Sequence, residues 1–203
     1  MIRYVVFGIT YAFAAAVQPG PFQTYIISQT LSRGWRHTLP AAFSPLLSDV
    51  PIVVTTLLLL SRVGDRFFQF LHFGGGIFLL YLSSRSFKAW RHLKTDKAVD
   101  VQSGQKTLFN AAFVNLLNPN PYIGWSLIMG PLFLEGWRET PVHGLSLLAT
   151  FYGTMIVSLS GIIMLFAFAR NLGPRVNRIS LGLSAAALAC FGVYQLWLCF
   201  QLR

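Results

Sequence analysis

The tetrapeptide Gln18-Pro19-Gly20-Pro21 interrupts an apolar run over residues 4–32, and this interruption constrains the fold more than any other feature of the chain. At about 1.5 Å per residue, such a run exceeds the ~20 residues a helix needs to cross a hydrocarbon core. Two prolines remove backbone donors and stop a helix where no water can replace the lost bonds. Lipid tolerates a break of that kind only where protein shields it or a cavity takes it up. Asn118-Pro119-Asn120-Pro121, 100 residues on, repeats the order of amide, proline, small or polar residue, proline. Paired broken helices in two halves of a small membrane chain point to a solute site near the bilayer midplane. A kink absorbed by neighbouring helices is the plainer reading of either break taken alone.

Composition puts the whole chain in the membrane. Of its 203 residues 54% are hydrophobic and 11% charged, against about a quarter charged in soluble domains. The net charge of +10 comes from cations lying between apolar runs. There they set orientation and make no nucleic-acid face. Cys190 and Cys199 have neither disulfide nor metal spacing. No nucleophile elbow, phosphate-cradling glycine loop, carboxylate pair or metal cluster is present, so no enzyme, cofactor or metal is expected. Arg3 followed by an apolar run and Ala12-Phe13-Ala14 mimics a cleavable signal, but the run continues into further helix and reads as an uncleaved first span.

The expected fold is all-α and integral to the membrane, with six transmembrane segments near 4–32, 38–61, 67–87, 108–134, 142–169 and 179–200. They divide into a first three-helix repeat (1–88), a basic loop (89–106) and a second repeat (107–203), the first helix of each broken at proline. Each broken segment ends in a Gly-Trp pair, Gly34-Trp35 and Gly136-Trp137. Three spans per half is an odd number, so the second copy enters the membrane in the opposite sense and the repeats are inverted. Gly74-Gly75-Gly76 in the third segment lets another helix approach closely, which suits a homodimer as well as internal packing. Arg33, Arg36, Arg85, Lys88, Arg91, Lys94, Lys97, Lys106, Arg170, Arg175 and Arg178 fall on one side. Arg3, Arg62, Arg66, Arg138 and Arg203 fall on the other. That bias puts the 33–37, 88–106 and 170–178 loops in the cytoplasm and both termini outside, unless the first segment is re-entrant.

Candidate site residues gather at the breaks. Half-helix N-termini after Pro21 and Pro121 would face a solute carboxylate, with freed carbonyls or the amides of Gln18, Gln23, Asn118 and Asn120 taking its ammonium. Asp49 is the only acidic residue deep in any segment, and a charge there is expensive enough to imply a function. It suits proton coupling or an ammonium ligand; the bland alternative is a carboxylate satisfied near Ser48. Tyr122 and Trp125, just past the second break, are placed to wall a pocket. Gln29, Asn110, Asn115 and Ser126 either line a site or join helices. His72 reads as a packing residue near the outer interface, and Arg85 as a snorkelling cation.

Together these residues resemble the LysE family of amino-acid exporters. The likeness rests on Gln18-Pro19-Gly20-Pro21 with Ser32-Arg33-Gly34, on Ser48-Asp49, on Gly75-Gly76 through Leu79-Leu80-Tyr81-Leu82, and on Asn118-Pro119. The resemblance implies a six-helix protein of the bacterial inner membrane that exports amino acids by secondary transport, and it marks Pro19, Gly20, Pro21, Asp49, Asn118 and Pro119. Three features depart from the family pattern: Asn120-Pro121 replaces the more usual single-proline continuation, Gly124 stands where arginine exporters carry an acidic residue, and Pro45 stands where many members have glycine. The departures weigh against a cationic solute.

The expected function is therefore proton-coupled export of amino acids or related small zwitterions, with a small-molecule solute and membrane lipid as partners. A structural or regulatory subunit using its basic loop, and a passive channel, are the alternatives.

Overall fold

The computed structural model describes residues 1–59, 65–92 and 104–201, and among these the chain is helical with no strand. Helices α1 (Ile2–Val17) and α2 (Pro21–Arg33) are the two arms of the first broken segment, bent by 64°. A single glycine, Gly34 at φ +88°, turns the chain into α3 (Trp35–Thr38), a 3-10 stretch (Leu39–Phe43) and α4 (Ser44–Leu59). Helix α5 (Asp65–His92) follows. The second broken segment comprises α6 (Gly104–Leu116), α7 (Pro119–Gly124), a π-helical turn (Trp125–Met129) and α8 (Gly130–Glu139). Two long helices, α9 (Pro141–Asn171) and α10 (Pro174–Gln201), complete the chain.

Proline places four of these starts. Pro21, Pro119, Pro141 and Pro174 each open a helix, where the missing N–H is not needed and the fixed φ already suits the first turn. The expected polar turns are shorter than the basic residues suggest. Arg33 and Arg36 ride α2 and α3, leaving only Gly34 between them, and α9 and α10 are separated by Leu172 and Gly173 alone. Likewise α5 runs past the expected limit of 87 to His92, because 88–92 holds no breaker and cations favour a helix C-terminus. Lys88 and Arg91 are therefore helical, and so is Lys106 on α6. Lys94, Asp96, Lys97 and Asp100 of the expected basic loop lie outside the described residues, as do Arg62 and Arg203.

Among the described residues three stretches are long and apolar enough to cross a membrane, Trp35–Thr56, Pro141–Asn171 and Pro174–Cys199, with a fourth where the bent α1–α2 pair counts as one span. The other two of the six expected segments are not among them. Over 69–91, helix α5 carries Gln69, His72, Ser83, Ser84, Arg85 and Ser86. The second broken segment is interrupted after Leu116, and its continuous part over 119–139 carries Asn120, Glu135, Arg138 and Glu139.

In the bundle α1 lies along α9, α4 along α6 and α5 along α10. The last pair meets backbone to backbone. A Cβ on Gly76 would lie 2.9 Å from the Gly192 carbonyl oxygen, and one on Gly192 would lie 3.0 Å from the Gly76 carbonyl oxygen. Close approach through small residues is the usual packing device where lipid provides no drive for helices to associate. Gly76 is thus spent on internal packing, and Gly75 admits the Leu117 carbonyl oxygen, 2.7 Å from where its Cβ would stand. Val157, Leu165, Phe168, Ile179 and Leu183 face outward on α9 and α10, as an apolar solvent permits.

Candidate functional site

Each break frees backbone groups, and the structure accounts for them. An unbroken α1 would have used the N–H of residue 19 to satisfy the Ala15 carbonyl, but Pro19 has none. The Gln23 side chain takes its place: Nε2 donates to Ala15 O at 3.0 Å and to Ala16 O at 3.2 Å. Beyond the break, Gly20 is extended (φ −163°, ψ −179°) and caps α2 without any side-chain hydrogen bond.

The second break is closed differently. Pro119 withholds the donor that Asn115 O would have used, and the Asn118 N–H supplies it at 3.2 Å. The Tyr122 hydroxyl donates to Leu116 O at 2.9 Å. Asn118 Oδ1 accepts from Asn120 N at 3.1 Å, so α7 begins at Pro119 and is capped by its own chain. The expectation of a bare helix end after Pro121 is corrected: the start lies two residues earlier and its first free donor is taken. Freed carbonyls at either break are likewise partly claimed by Gln23 and Tyr122, leaving fewer for a solute.

Both breaks open onto one cavity of about 120 Å³. On the same measure a water needs roughly 10–15 Å³, so there is room for about ten small heavy atoms. Gln18, Pro19, Gly20 and Gln23 line it from the first break, Asn118, Asn120 and Pro121 from the second, and Asp49 from α4. Of the expected site residues, Pro21, Pro119 and Tyr122 do not reach it. The two prolines sit buried at helix starts, and Tyr122 is turned to its carbonyl.

Asp49 is only 4% exposed. Its Oδ1 accepts from Asn115 Nδ2 at 3.0 Å, its Oδ2 from the Tyr152 hydroxyl at 3.3 Å, and the Trp125 indole also faces it. Asn115 Nδ2 reaches Ser48 Oγ at 2.8 Å as well. The carboxylate is thus held from three sides by α6, α9 and the π-helical turn, with burial made tolerable by hydrogen bonds.

Several lining groups gave no clear signal in the sequence. Tyr11 and Ala15 of α1, Met129, and Phe151 and Met155 of α9 are among them, beside the singled-out Pro45, Asn115, Gly124 and Trp125. The Tyr11 hydroxyl sits 2.5 Å from where a Cβ of residue 124 would stand, filling the space a side chain there would take. Gln29, Arg85 and Asn110 line a separate, smaller pocket between α2, α5 and α6, and His72 is buried in α5 away from both.

A helical bundle with apolar outer faces, a bent membrane-length helix pair and one buried carboxylate at a polar cavity defines a multi-pass membrane protein of the transporter kind. The model of the LysE type translocator family matches residues 13–197, most of the chain, and the protein belongs to that family. No curated protein and no solved structure matches it. Proteins of this family are membrane transporters of amino acids or similar solutes, not enzymes.

Proposed function

We propose that the protein is a proton-coupled secondary transporter exporting amino acids or related small zwitterions across the bacterial inner membrane. The carrying observation is that both broken segments face one small cavity and share it with the buried Asp49 carboxylate. A zwitterion finds both its partners there. The α2 start, capped by Gly20 without a side chain, offers N–H groups and a positive dipole end to a carboxylate. Asp49, with Asn118 and Asn120 nearby, suits the ammonium, and binding it would displace or release a proton. Aromatic and methionine walls from Tyr11, Phe151 and Met155 favour a small side chain. The space Tyr11 fills at Gly124 fits a neutral solute better than a cationic one.

The packing supports two inverted three-helix repeats, 1–88 and 107–203, forming six spans. Exchanging α1 with α6, α4 with α9 and α5 with α10 maps the α1–α9 contact onto α6–α4 and the α5–α10 contact onto itself. In this arrangement the 33–37, 88–106 and 170–178 stretches lie in the cytoplasm.

The test is efflux from proteoliposomes loaded with the common amino acids and given a pH gradient, with the released solutes identified by mass spectrometry. Asp49→Asn should abolish gradient-dependent release while the protein inserts normally. Pro21→Ala and Pro121→Ala should each slow turnover more than they lower expression. Release that is undiminished in Asp49→Asn, with the same pH dependence, would remove the carboxylate from the mechanism.

A further inference from the structure

Far from the cavity, at the corner where α2 turns into α3 beside the end of α9, a groove of about 340 Å³ is lined by Arg33, Gly34, Trp35, Arg36, His37 and Arg170, among others. We propose that this groove binds the phosphodiester headgroup of an anionic phospholipid. Four cationic or titratable side chains converge on it, and among the described residues no carboxylate lines it. Arg36 and Arg170 enter no salt bridge among the described residues, where the only two such pairs are Arg3–Glu135 and Glu139–His143. Two such cations held close together, as Arg36 and Arg170 are here, repel each other unless an anion joins them.

The groove is held in shape. Gly34 sits at φ +88°, a conformation other residues adopt only under strain, and a Cβ there would lie 2.6 Å from Arg170 Nη1. The glycine therefore lets the Arg170 guanidinium lie directly against the turn. Arg36 stacks over the Trp35 ring at 5.3 Å, and Trp35, 38% exposed, is the residue type that settles at the headgroup level. From the groove the outer face of α9 continues as exposed Leu172, Phe168 and Leu165. A cationic pocket leading directly onto an apolar helix face matches a lipid, with its charge at one end and chains at the other, better than a free anion. The alternative is that Arg33 and Arg170 merely complement the C-terminal dipoles of α2 and α9.

The test uses the purified full chain and native mass spectrometry during titration with phosphatidylglycerol, phosphatidylcholine or inorganic phosphate. The wild type should retain one phosphatidylglycerol in preference to phosphatidylcholine, and phosphate at millimolar concentration should not displace it. Combined Arg36→Gln and Arg170→Gln should weaken that binding by about tenfold or more. Combined Lys88→Gln and Arg91→Gln, exposed cations of α5 outside the groove, should leave it unchanged. If the double groove variant does not fold, Arg170→Lys, which keeps the charge but loses the planar fork, should still weaken retention severalfold. Equal loss in the α5 control, no preference over phosphatidylcholine, or displacement by phosphate alone would each overturn the assignment.

Discussion

The Asp49–Asn115 pair allows a carboxylate that merely braces the bundle to be separated from one that handles solute. Asn115 Nδ2 supports Asp49 Oδ1 at 3.0 Å and Ser48 Oγ at 2.8 Å, and all three residues are buried. Asn115→Ala removes one hydrogen bond to a carboxylate, worth about 1.5–3 kcal/mol, and leaves a serine hydroxyl with one partner fewer. With a small cavity added, the loss should total about 2–4 kcal/mol. For a chain of this size that lowers Tm by roughly 5–15 °C, at about 2–4 °C per kcal/mol. Combining Asp49→Asn with Asn115→Asp rebuilds the same pair with its ends exchanged, so Tm should return to within a few degrees of wild type. The carboxylate, however, now hangs from α6 instead of α4. Efflux from loaded proteoliposomes should therefore stay down by about 10- to 100-fold, the size of a lost charge-assisted contact. Thermal unfolding in detergent and the efflux assay, run on the same preparations, check both halves. An exchanged pair that transports at the wild-type rate would refute any need for the charge on α4. An exchanged pair that melts as low as Asn115→Ala would refute the hydrogen bond as the brace.

Tyr122→Phe orphans the Leu116 carbonyl and should destabilise by about 1–3 kcal/mol while leaving the efflux rate per folded molecule near wild type. A selective loss of transport at unchanged Tm would return Tyr122 to the solute site. Gly192→Val would push a side chain into the Gly76 carbonyl and Leu80, and should cost about 3 kcal/mol or more, seen as a lower Tm and poor yield; wild-type melting would show that α5 and α10 have slack. At the α8–α9 corner, the hydrogen bond from His143 at 3.0 Å holds the Glu139 carboxyl below the usual carboxylate range. A depressed folded value contributes stability that is present above the unfolded carboxylate value and lost as pH falls through the folded one. His143→Ala should let Glu139 titrate nearer its ordinary value in a carboxyl-resolved NMR titration, and an unmoved midpoint would assign the depression elsewhere.

What could be read from the chain before folding were the features that violate a rule of the lipid environment. Prolines without donors at 19, 21, 119 and 121, and a carboxylate at 49, are costly enough to announce themselves, and Pro19, Pro121 and Asp49 do meet at one cavity. The repairs could not be read. Amides and hydroxyls near a break serve a solute or a stranded carbonyl equally well, and only three-dimensional proximity shows that Gln23 both lines the cavity and repairs α1 while Tyr122 does only the repair. Tyr152, one of 7 tyrosines in the chain and set in an unbroken apolar helix, carries no local mark of its contact with Asp49. Segment limits erred where basic residues were taken for loops. Arginine and lysine are good helix formers, so α2, α3 and α5 run through them and stop only at Gly34 or beyond the last breaker-free turn.

Where two main chains rub against each other with no side chain between them, neither can take on bulk without parting the seam. The α5–α10 union at Gly76 and Gly192 is in that sense a keel. In the transport cycle proposed above, the broken arms at residues 18–21 and 117–121 are the parts we assign to swing against it.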